Sequence, residues 1–207
     1  MWVVKLGGSL MQAPELKSWL DMLVAQEHFA CIIVPGGGMF ADAVRAAQRT
    51  GGFDDATAHR MAVLAMEQFA WLLQSLCPAL TIAGAKDEIL DAARRPGATL
   101  WMPSRMVLDD PAIPANWQVT SDSLAAWLAG QLDAEGLVLV KHADFSGQRA
   151  DIPALQAQGI LDAAFAEFSG RLACPVHVIG KSSHHHFRQL LDGAALPALN
   201  LAKEIPS

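Results

Sequence analysis

Two stretches decide the fold: residues 2–9 read WVVKLGGS, and residues 30–38 read ACIIVPGGG. Each is a short apolar run that ends in glycines, and apolar residues at helical spacing follow it. A strand that passes through a glycine turn into a helix is the repeating unit of a parallel sheet. The pattern therefore predicts two neighbouring parallel strands, 2–6 and 30–34, with both glycine turns at one edge of the sheet.

The same alternation of strand and helix continues along the chain. Further strands are predicted at 80–83, 99–102, 136–141 and 175–179. Helices are predicted at 15–28, 39–50, 57–76, 87–94, 121–132, 159–168 and 183–191. Continuous apolar strands between helices indicate a sheet that is buried on both faces. The expected fold class is α/β, a three-layer αβα sandwich with a mainly parallel central sheet, built as a single domain over residues 1–207.

Composition narrows the classes of function. The chain has 52% apolar and 17% charged residues, which excludes a disordered protein. Its net charge of -6 argues against a nucleic-acid partner. The most apolar stretch, 61–85, is interrupted by Glu67, Gln68, Gln74 and Pro78 and fits a helix of a globular protein better than a membrane span. The three cysteines lie far apart, which fits a cytoplasmic protein. The apolar surplus predicts a homo-oligomer, a dimer or larger.

Both glycine turns have the composition of a phosphate site. Gly7, Gly8 and Ser9 follow the first strand, and residues 36–38 follow the second. Glycine lets backbone N–H groups approach an anion closely, and a helix N-terminus adds a favourable dipole. Lys5, on the strand just before the first turn, would add a positive charge. Tight turns without a ligand are the alternative, but two clusters with a strand-borne lysine favour phosphate binding.

Two later segments also carry candidate site residues. Residues 119–122 read VTSD and open a helix, so they either bind a polar or anionic group or simply cap that helix. Residues 138–144 read VLVKHAD, which delivers Lys141 and Asp144 beyond the end of a strand. An aspartate at this place can ligate Mg²⁺ or orient lysines, and the alternative is a surface salt bridge.

These four segments, in this order, resemble the amino acid kinase family, which has the carbamate kinase-like fold. The resemblance spans about residues 3–193. It implies a three-layer sandwich that transfers the γ-phosphoryl group of ATP, with Mg²⁺, to a small anionic acceptor. Phosphoryl transfer needs positioning and charge neutralisation, which the glycine turns and lysines supply.

The resemblance also implies a role for individual residues. Catalysis falls to Lys5, Asp144 and Lys181, with Asp144 also the candidate Mg²⁺ ligand. The nucleotide phosphates are expected on Gly7, Gly8, Ser9 and Lys141. The acceptor is expected on Gly36, Gly37, Gly38, Thr120, Ser121 and Asp122. The chain departs from the family in the short segment after Asp144 and in residues 196–201, which replace a Gly-Thr pair, so adenine binding stays undetermined.

The start of the long helix narrows the acceptor. Residues 54–68 read DDATAHRMAVLAMEQ and resemble the branch of the family that works in methanofuran biosynthesis. That branch phosphorylates an aminomethyl-furanmethyl phosphate to its diphosphate. By this resemblance His59 and Arg60 would reach the acceptor phosphate, and Glu67 or Asp55 would bind its ammonium group. The alternative for each is an ordinary solvated helix face.

Other functions within the same fold stay open. The acceptor could instead be uridylate, an isoprenoid phosphate or an acylamino acid. A non-catalytic protein that stores oxyanions or nucleotides is a further alternative. The run of His184, His185 and His186 is not expected to bind a metal ion together, since consecutive helical side chains point about 100° apart. Its role is undetermined.

Overall fold

One sheet organises the chain, of which the computed structural model describes residues 1–144, 151–184, 187 and 199–200. The strands lie in the order β3-β4-β2-β1-β5-β6-β7. Strands β1 to β6 run parallel, and β7 is antiparallel to β6. Their bounds are β1 (Trp2–Leu6), β2 (Ala30–Pro35), β3 (Thr81–Ala83), β4 (Gly97–Trp101), β5 (Gly136–Lys141), β6 (Val176–Gly180) and β7 (Leu199–Asn200). The predicted α/β fold with a mainly parallel sheet is confirmed.

Helices cover both faces of this sheet. They are α1 (Glu15–Val24), α2 (Gly38–Gly51), α3 (Asp55–Leu76), α4 (Lys86–Ala92), α5 (Ser104–Val107), α6 (Ser121–Gln131), α7 (Ile152–Ala157) and α8 (Phe165–Ser169). Short 3-10 helices span Gly8–Gln12 and Lys181–Ser183. No helix in the described ranges has the length and apolar character to cross a bilayer.

Alternation along the strands divides the interior into two cores. In β1, Val3 packs into the core that contains α6 and α8, whereas Val4 packs into the core that contains α1. Successive side chains of a strand point to opposite faces, so Lys5 shares the face of Val3. This parity directs the Lys5 side chain toward α6.

The region from 152 to 169 differs from the prediction of one helix over 159–168. Helix α7 begins earlier, where the Asp151 carboxylate accepts the Ala154 N–H at 2.8 Å. It ends before Gly159, whose φ of +67° is the left-handed conformation that favours glycine after a helix. A turn then leads to α8. The glycine therefore marks a helix end, and the prediction read it as a beginning.

Helix α1 is shorter than predicted, and the predicted last helix is described only in part. Helix α1 stops at Val24, four residues before the predicted end at His28. The predicted last helix, 183–191, lies mostly outside the described residues, as do His185 and His186. His184 is described, and its ring meets the Trp19 ring edge-on with centroids 6.3 Å apart.

Candidate active site

The carboxyl ends of β1 and β5 lie side by side at the centre of the sheet, with Leu6 paired to Val140. The chain leaves β1 toward β2 and leaves β5 toward β6, so the connections diverge at this point. Such a switch point opens a crevice in which parallel sheets bind ligands. Lys5 on β1 and Lys141 on β5 both lie near the carboxyl ends of these strands, although neither is among the residues that line the adjacent cavity.

A lysine pair, Lys5 and Lys141, is held there by one buried carboxylate. Asp122 Oδ1 lies 2.8 Å from Lys5 Nζ, and Asp122 Oδ2 lies 2.6 Å from Lys141 Nζ. The side chains are 7%, 13% and 6% exposed for Lys5, Lys141 and Asp122, respectively. Two positive charges therefore share one negative charge away from solvent, which leaves positive charge available to an anion.

The pKa values of Asp122 and Lys141 are shifted because these charged groups are buried close to one another. Burial by itself raises the pKa of Asp122, but the attraction of the two lysines outweighs it and holds the pKa below 3.8. Burial, followed by repulsion from Lys5, lowers the pKa of Lys141 to about 8, although Asp122 opposes the shift. Asp122 is thus ionised at neutral pH, and Lys141 loses its proton more readily than an exposed lysine does.

Asp122, predicted to contact the acceptor, contacts both lysines, and the prediction had given the orientation of lysines to Asp144. The Asp144 carboxylate accepts the Ser182 N–H at 3.1 Å and the Ser182 hydroxyl at 2.9 Å. It therefore ties the end of β5 to the segment after β6. Neighbouring Lys181 lies 3.6 Å from Glu15 Oε1 and is not part of the lysine pair.

The two glycine turns pack directly on each other. A Cβ on Gly36 would lie 2.2 Å from Gly8 N, and one on Gly8 would lie 2.1 Å from Gly38 N. Gly38 has φ +53°, a conformation that favours glycine. The tight-turn interpretation and the phosphate interpretation therefore both apply, because the glycines are needed for packing whether or not a ligand binds.

Backbone hydrogen bonds divide the glycines into two groups. The Gly7 N–H donates to Val140 at 3.2 Å, and the Gly36 N–H donates to Leu6 at 2.9 Å. These two amides complete the sheet and are not available to a phosphate group. The amides of Gly8 and Gly37 have no backbone acceptor within the described part of the chain, so they remain available to an anion.

A cavity of about 560 Å³ opens in front of these turns. Of the predicted site residues it is lined by Gly8, Ser9, Gly37, Gly38, His59, Thr120 and Ser121. Its apolar wall comes from Met11, Met39, Ala62, Val63, Met66 and Leu124. The cavity thus combines a polar floor at two helix N-termini with an apolar wall, as ligand sites commonly do.

His59 is the predicted acceptor residue that the fold turns inward. It is 6% exposed and lines the cavity, and its Nε2 atom is buried without a hydrogen-bond partner. Burial, and to a lesser degree the charge of Arg60, lowers the pKa of His59, so the neutral imidazole dominates at pH 7. A buried nitrogen without a partner is costly unless a ligand satisfies it.

Arg60 and Glu67, predicted on the same helix, lie outside the cavity lining. Arg60 is 58% exposed and lies 3.6 Å from Asp109 Oδ1. Glu67 Oε1 accepts the Ser104 N–H at 2.9 Å, at the first residue of α5. Arg60 is thus an ordinary surface residue, which was the alternative interpretation. Glu67 stabilises the short helix α5, which the sequence did not predict.

The start of α6 is capped by a distant residue. Thr120 is the N-cap, but its hydroxyl donates to Asp162 Oδ2 at 2.8 Å and caps no N–H of the helix. The same oxygen accepts the Ser123 N–H at 3.0 Å, and Asp162 Oδ1 accepts the Ser123 hydroxyl. Asp162 therefore fixes the helix that carries Asp122, and it was not among the predicted residues.

The prediction also missed the outer part of the cavity. Asp42, Arg45, Trp117 and His142 line it. The Arg45 guanidinium lies 4.4 Å from the centroid of the Trp117 ring, and Trp117 Nε1 donates to Gln48 Oε1 at 2.6 Å. The sequence did offer one signal for these residues: Asp42 and Arg45 lie three residues apart, at helical spacing, after the second glycine turn. Nothing local marks Trp117, which lies in the loop before α6.

Comparison with known sequences gives two matches. The sequence model of the amino acid kinase family matches residues 1–145. A [5-(aminomethyl)furan-3-yl]methyl phosphate kinase from Methanocaldococcus jannaschii is 26% identical over 148 residues, which are 70% of this chain and 67% of that protein. The predicted resemblance to the family is confirmed.

Solved structures give the same fold. Uridylate kinase from Archaeoglobus fulgidus has a TM-score of 0.71 at 16% identity, over 97% of this chain and 99% of that chain. UMP kinase from Bacillus anthracis has a TM-score of 0.67 at 13% identity, over 98% and 96% of the respective chains. Isopentenyl phosphate kinase from T. acidophilum has a TM-score of 0.65 at 10% identity, over 98% and 100%.

Proposed function

Because the chain belongs to the amino acid kinase family, we propose that it transfers the γ-phosphoryl group of ATP to the phosphate of an aminomethyl-furanmethyl phosphate. The protein is a kinase whose acceptor is a small phosphorylated molecule. The specific acceptor rests on the 26% identical relative, whose name states that substrate. The product would be the corresponding diphosphate.

The lysine pair carries this proposal. Lys5 and Lys141 share the single carboxylate of Asp122 at 2.8 and 2.6 Å, beside two glycine turns with available amides. An anionic phosphoryl group in transfer is stabilised by fixed positive charges in a site with little water. A storage protein for oxyanions would also need positive charge, so turnover is the property that separates the two functions.

The reaction needs little beyond positioning. An oxygen of the acceptor phosphate attacks the γ-phosphorus of ATP, the bond to the bridging oxygen breaks, and ADP leaves with the electron pair. The acceptor oxygen is already anionic, so no general base is required. We place the nucleotide phosphates at Gly8 and Ser9, the acceptor phosphate at Gly37, Gly38 and His59, and Lys5 and Lys141 beside the group in transfer.

Mg²⁺ fits this arrangement as an ion shared with the nucleotide. In the described part of the chain, no group of three or more His, Cys, Asp or Glu side chains could hold a metal. Mg²⁺ in kinases is held by one or two carboxylates together with substrate phosphates, so a full protein site is not required. Asp144, an exposed carboxylate at the end of β5, is the residue that would hold it. Mg²⁺ would neutralise charge on the nucleotide phosphates.

A screen of acceptors tests the function. Purified protein is incubated with ATP, Mg²⁺ and one of three acceptors: aminomethyl-furanmethyl phosphate, uridylate or isopentenyl phosphate. We expect ADP release only with the first. Faster release with uridylate or isopentenyl phosphate would assign a different acceptor, and stoichiometric ligand binding without ADP release would favour a storage protein.

Activity is expected to decrease as pH rises above about 8. Lys141, whose pKa is about 8, loses its positive charge there and no longer stabilises the phosphoryl group. The profile of kcat/KM for ATP reports the free enzyme and should show this alkaline limb. Lys141→Arg stays charged and should move the limb to higher pH, whereas exposed Lys17→Arg should not. A wild-type profile that is flat to pH 10 would contradict the assignment.

We also propose that the protein is a homodimer through α3. Three large apolar side chains on this helix are exposed: Met61 by 37%, Leu64 by 46% and Trp71 by 57%. Their spacing of three and seven residues places them along one stripe of the helix. Several large apolar side chains exposed on one face of a helix are typical of a protein interface.

A charge in this stripe is expected to separate the dimer. Trp71→Glu should convert the wild-type dimer to a monomer in size exclusion with light scattering, while circular dichroism should show that the monomer keeps its helix and strand content. Leu90→Glu is the matched control, since Leu90 is 39% exposed on α4 and lies outside the stripe. A Trp71→Glu protein that remains dimeric would exclude this stripe as the interface.

We assign the protein to the cytoplasm. Cys31 and Cys77 are buried thiols that form no disulfide in the described part of the chain. Free thiols are typical of a reducing compartment, and ATP is abundant in the same compartment.

A further inference from the structure

A carboxylate at the outer part of the cavity has no assigned role. Asp42 lines the cavity and lies on α2, four residues after Gly38. Of the described residues that line the cavity, it is the only aspartate or glutamate. Within the cavity lining, Asp42 is therefore the carboxylate that could face a cationic group of a ligand.

The carboxylates predicted to bind the acceptor ammonium are engaged elsewhere. Glu67 accepts the Ser104 N–H at 2.9 Å, and Asp55 Oδ1 accepts from Gln48 Nε2 at 2.9 Å. Neither residue lines the cavity. Asp42 replaces both of them as the candidate for this contact.

The geometry of α2 places Asp42 at a useful distance from the phosphate floor. Residues four apart lie on one face of a helix, about 6 Å apart along its axis. Helical side chains lean toward the N-terminus, so the Asp42 carboxylate leans toward the Gly38 end. A ligand with a phosphate at Gly38 and a cationic group a few bonds away can contact both.

Arg45 forms a hydrogen bond with one of the two oxygens of the Asp42 carboxylate. Arg45 Nη1 donates to Asp42 Oδ1 at 2.8 Å, and its guanidinium lies over the Trp117 ring. Trp117 is fixed in turn by its hydrogen bond to Gln48. Asp42 Oδ2 has no partner in the described part of the chain, so one carboxylate oxygen is oriented and the other is available.

We propose that Asp42 selects acceptors that carry a primary ammonium group at the end opposite to the phosphate. This inference rests on the proposed function and specifies which residue recognises the acceptor. Because Asp42 is 73% exposed, the contact should be modest and should act on binding rather than on the chemical step. It would discriminate between the amine and an otherwise identical alcohol.

The test compares two acceptors in steady-state kinetics: the aminomethyl-furanmethyl phosphate and its hydroxymethyl counterpart. Wild type should have a lower KM for the amine. Asp42→Asn should raise the KM for the amine about fivefold, with kcat unchanged and with no effect on the KM for the alcohol. Asp42→Glu should restore part of the preference. Asp21→Asn, which also removes an exposed carboxylate paired within its own helix, should change neither KM.

The outcomes separate the inference from the function on which it rests. If wild type turns over both acceptors with equal KM, or if Asp42→Asn raises both KM values equally, the kinase function stands and the role of Asp42 is wrong. If wild type releases ADP with neither acceptor, the proposed acceptor is wrong and the inference fails with it. Unchanged melting temperatures for the variants exclude misfolding as the cause.

Discussion

Replacing Lys5 by alanine is expected to lower kcat about 100- to 1,000-fold, with a much smaller change in KM. Lys5 Nζ lies 2.8 Å from Asp122 and, in the proposed mechanism, beside the phosphoryl group in transfer. Removing it leaves Asp122 paired with Lys141 alone, so most of the excess positive charge is lost. The protein should still fold, because the remaining buried pair is balanced. ADP release under saturating substrates measures the effect.

Lys17→Ala is the control for this variant. Lys17 is 71% exposed and pairs with Asp21 on the surface of α1, so its removal should leave kcat unchanged. Circular dichroism and thermal unfolding of Lys5→Ala establish that the fold is intact. Full turnover by a folded Lys5→Ala protein would remove the lysine pair from the mechanism.

Replacing Gly36 by alanine is expected to destabilise the protein by about 3 kcal/mol, the upper end for an overpacked site. The new Cβ would lie 2.2 Å from Gly8 N and 2.8 Å from Gly8 Cα. Both are backbone atoms that cannot rotate away, so the two glycine turns must separate. The melting temperature should fall by roughly 6–12 °C for a chain of this size.

Gly130→Ala is the matched substitution in an open place. A Cβ at Gly130 would meet Leu172 at 3.5 Å, an ordinary contact, and alanine is the better helix former in α6. This variant should be neutral or slightly more stable than wild type. A Gly36→Ala protein as stable as Gly130→Ala would show that the two turns do not need their close contact.

Much of the fold could be predicted from local patterns. Nearly continuous apolar runs located β1 and β5 with their observed bounds, because a strand buried on both faces is apolar over most of its length, apart from site residues such as Lys5 and Lys141 near its end. The prediction failed at Gly159. A glycine occurs both in the turn before a helix and directly after a helix end, so the local pattern did not separate the two. The short α5 was missed because it depends on Glu67 from a distant helix.

The candidate site likewise contains residues that the sequence predicted and residues that it did not. The sequence predicted Lys5, Lys141 and both glycine turns, because each follows a strand toward the edge at which parallel sheets bind ligands. It did not predict that Asp122 pairs with both lysines, that Asp162 caps α6, or that Asp42 and Trp117 line the cavity. Residues 145–150, which belong to the short segment after Asp144, lie outside the described ranges.

The local sequence located β1, β2 and β5 along the chain and put Lys5 and the glycine turns near strand ends, since these features depend on neighbours within a few residues. The pairing of Asp122 with the two lysines depends on how distant segments pack. Asp122 lies 117 residues after Lys5 and 19 residues before Lys141 in the sequence. Both contacts form because α6, which carries Asp122, packs on the face of the sheet to which the Lys5 side chain points. Ion pairs between distant segments depend on that packing, and no local pattern encodes it.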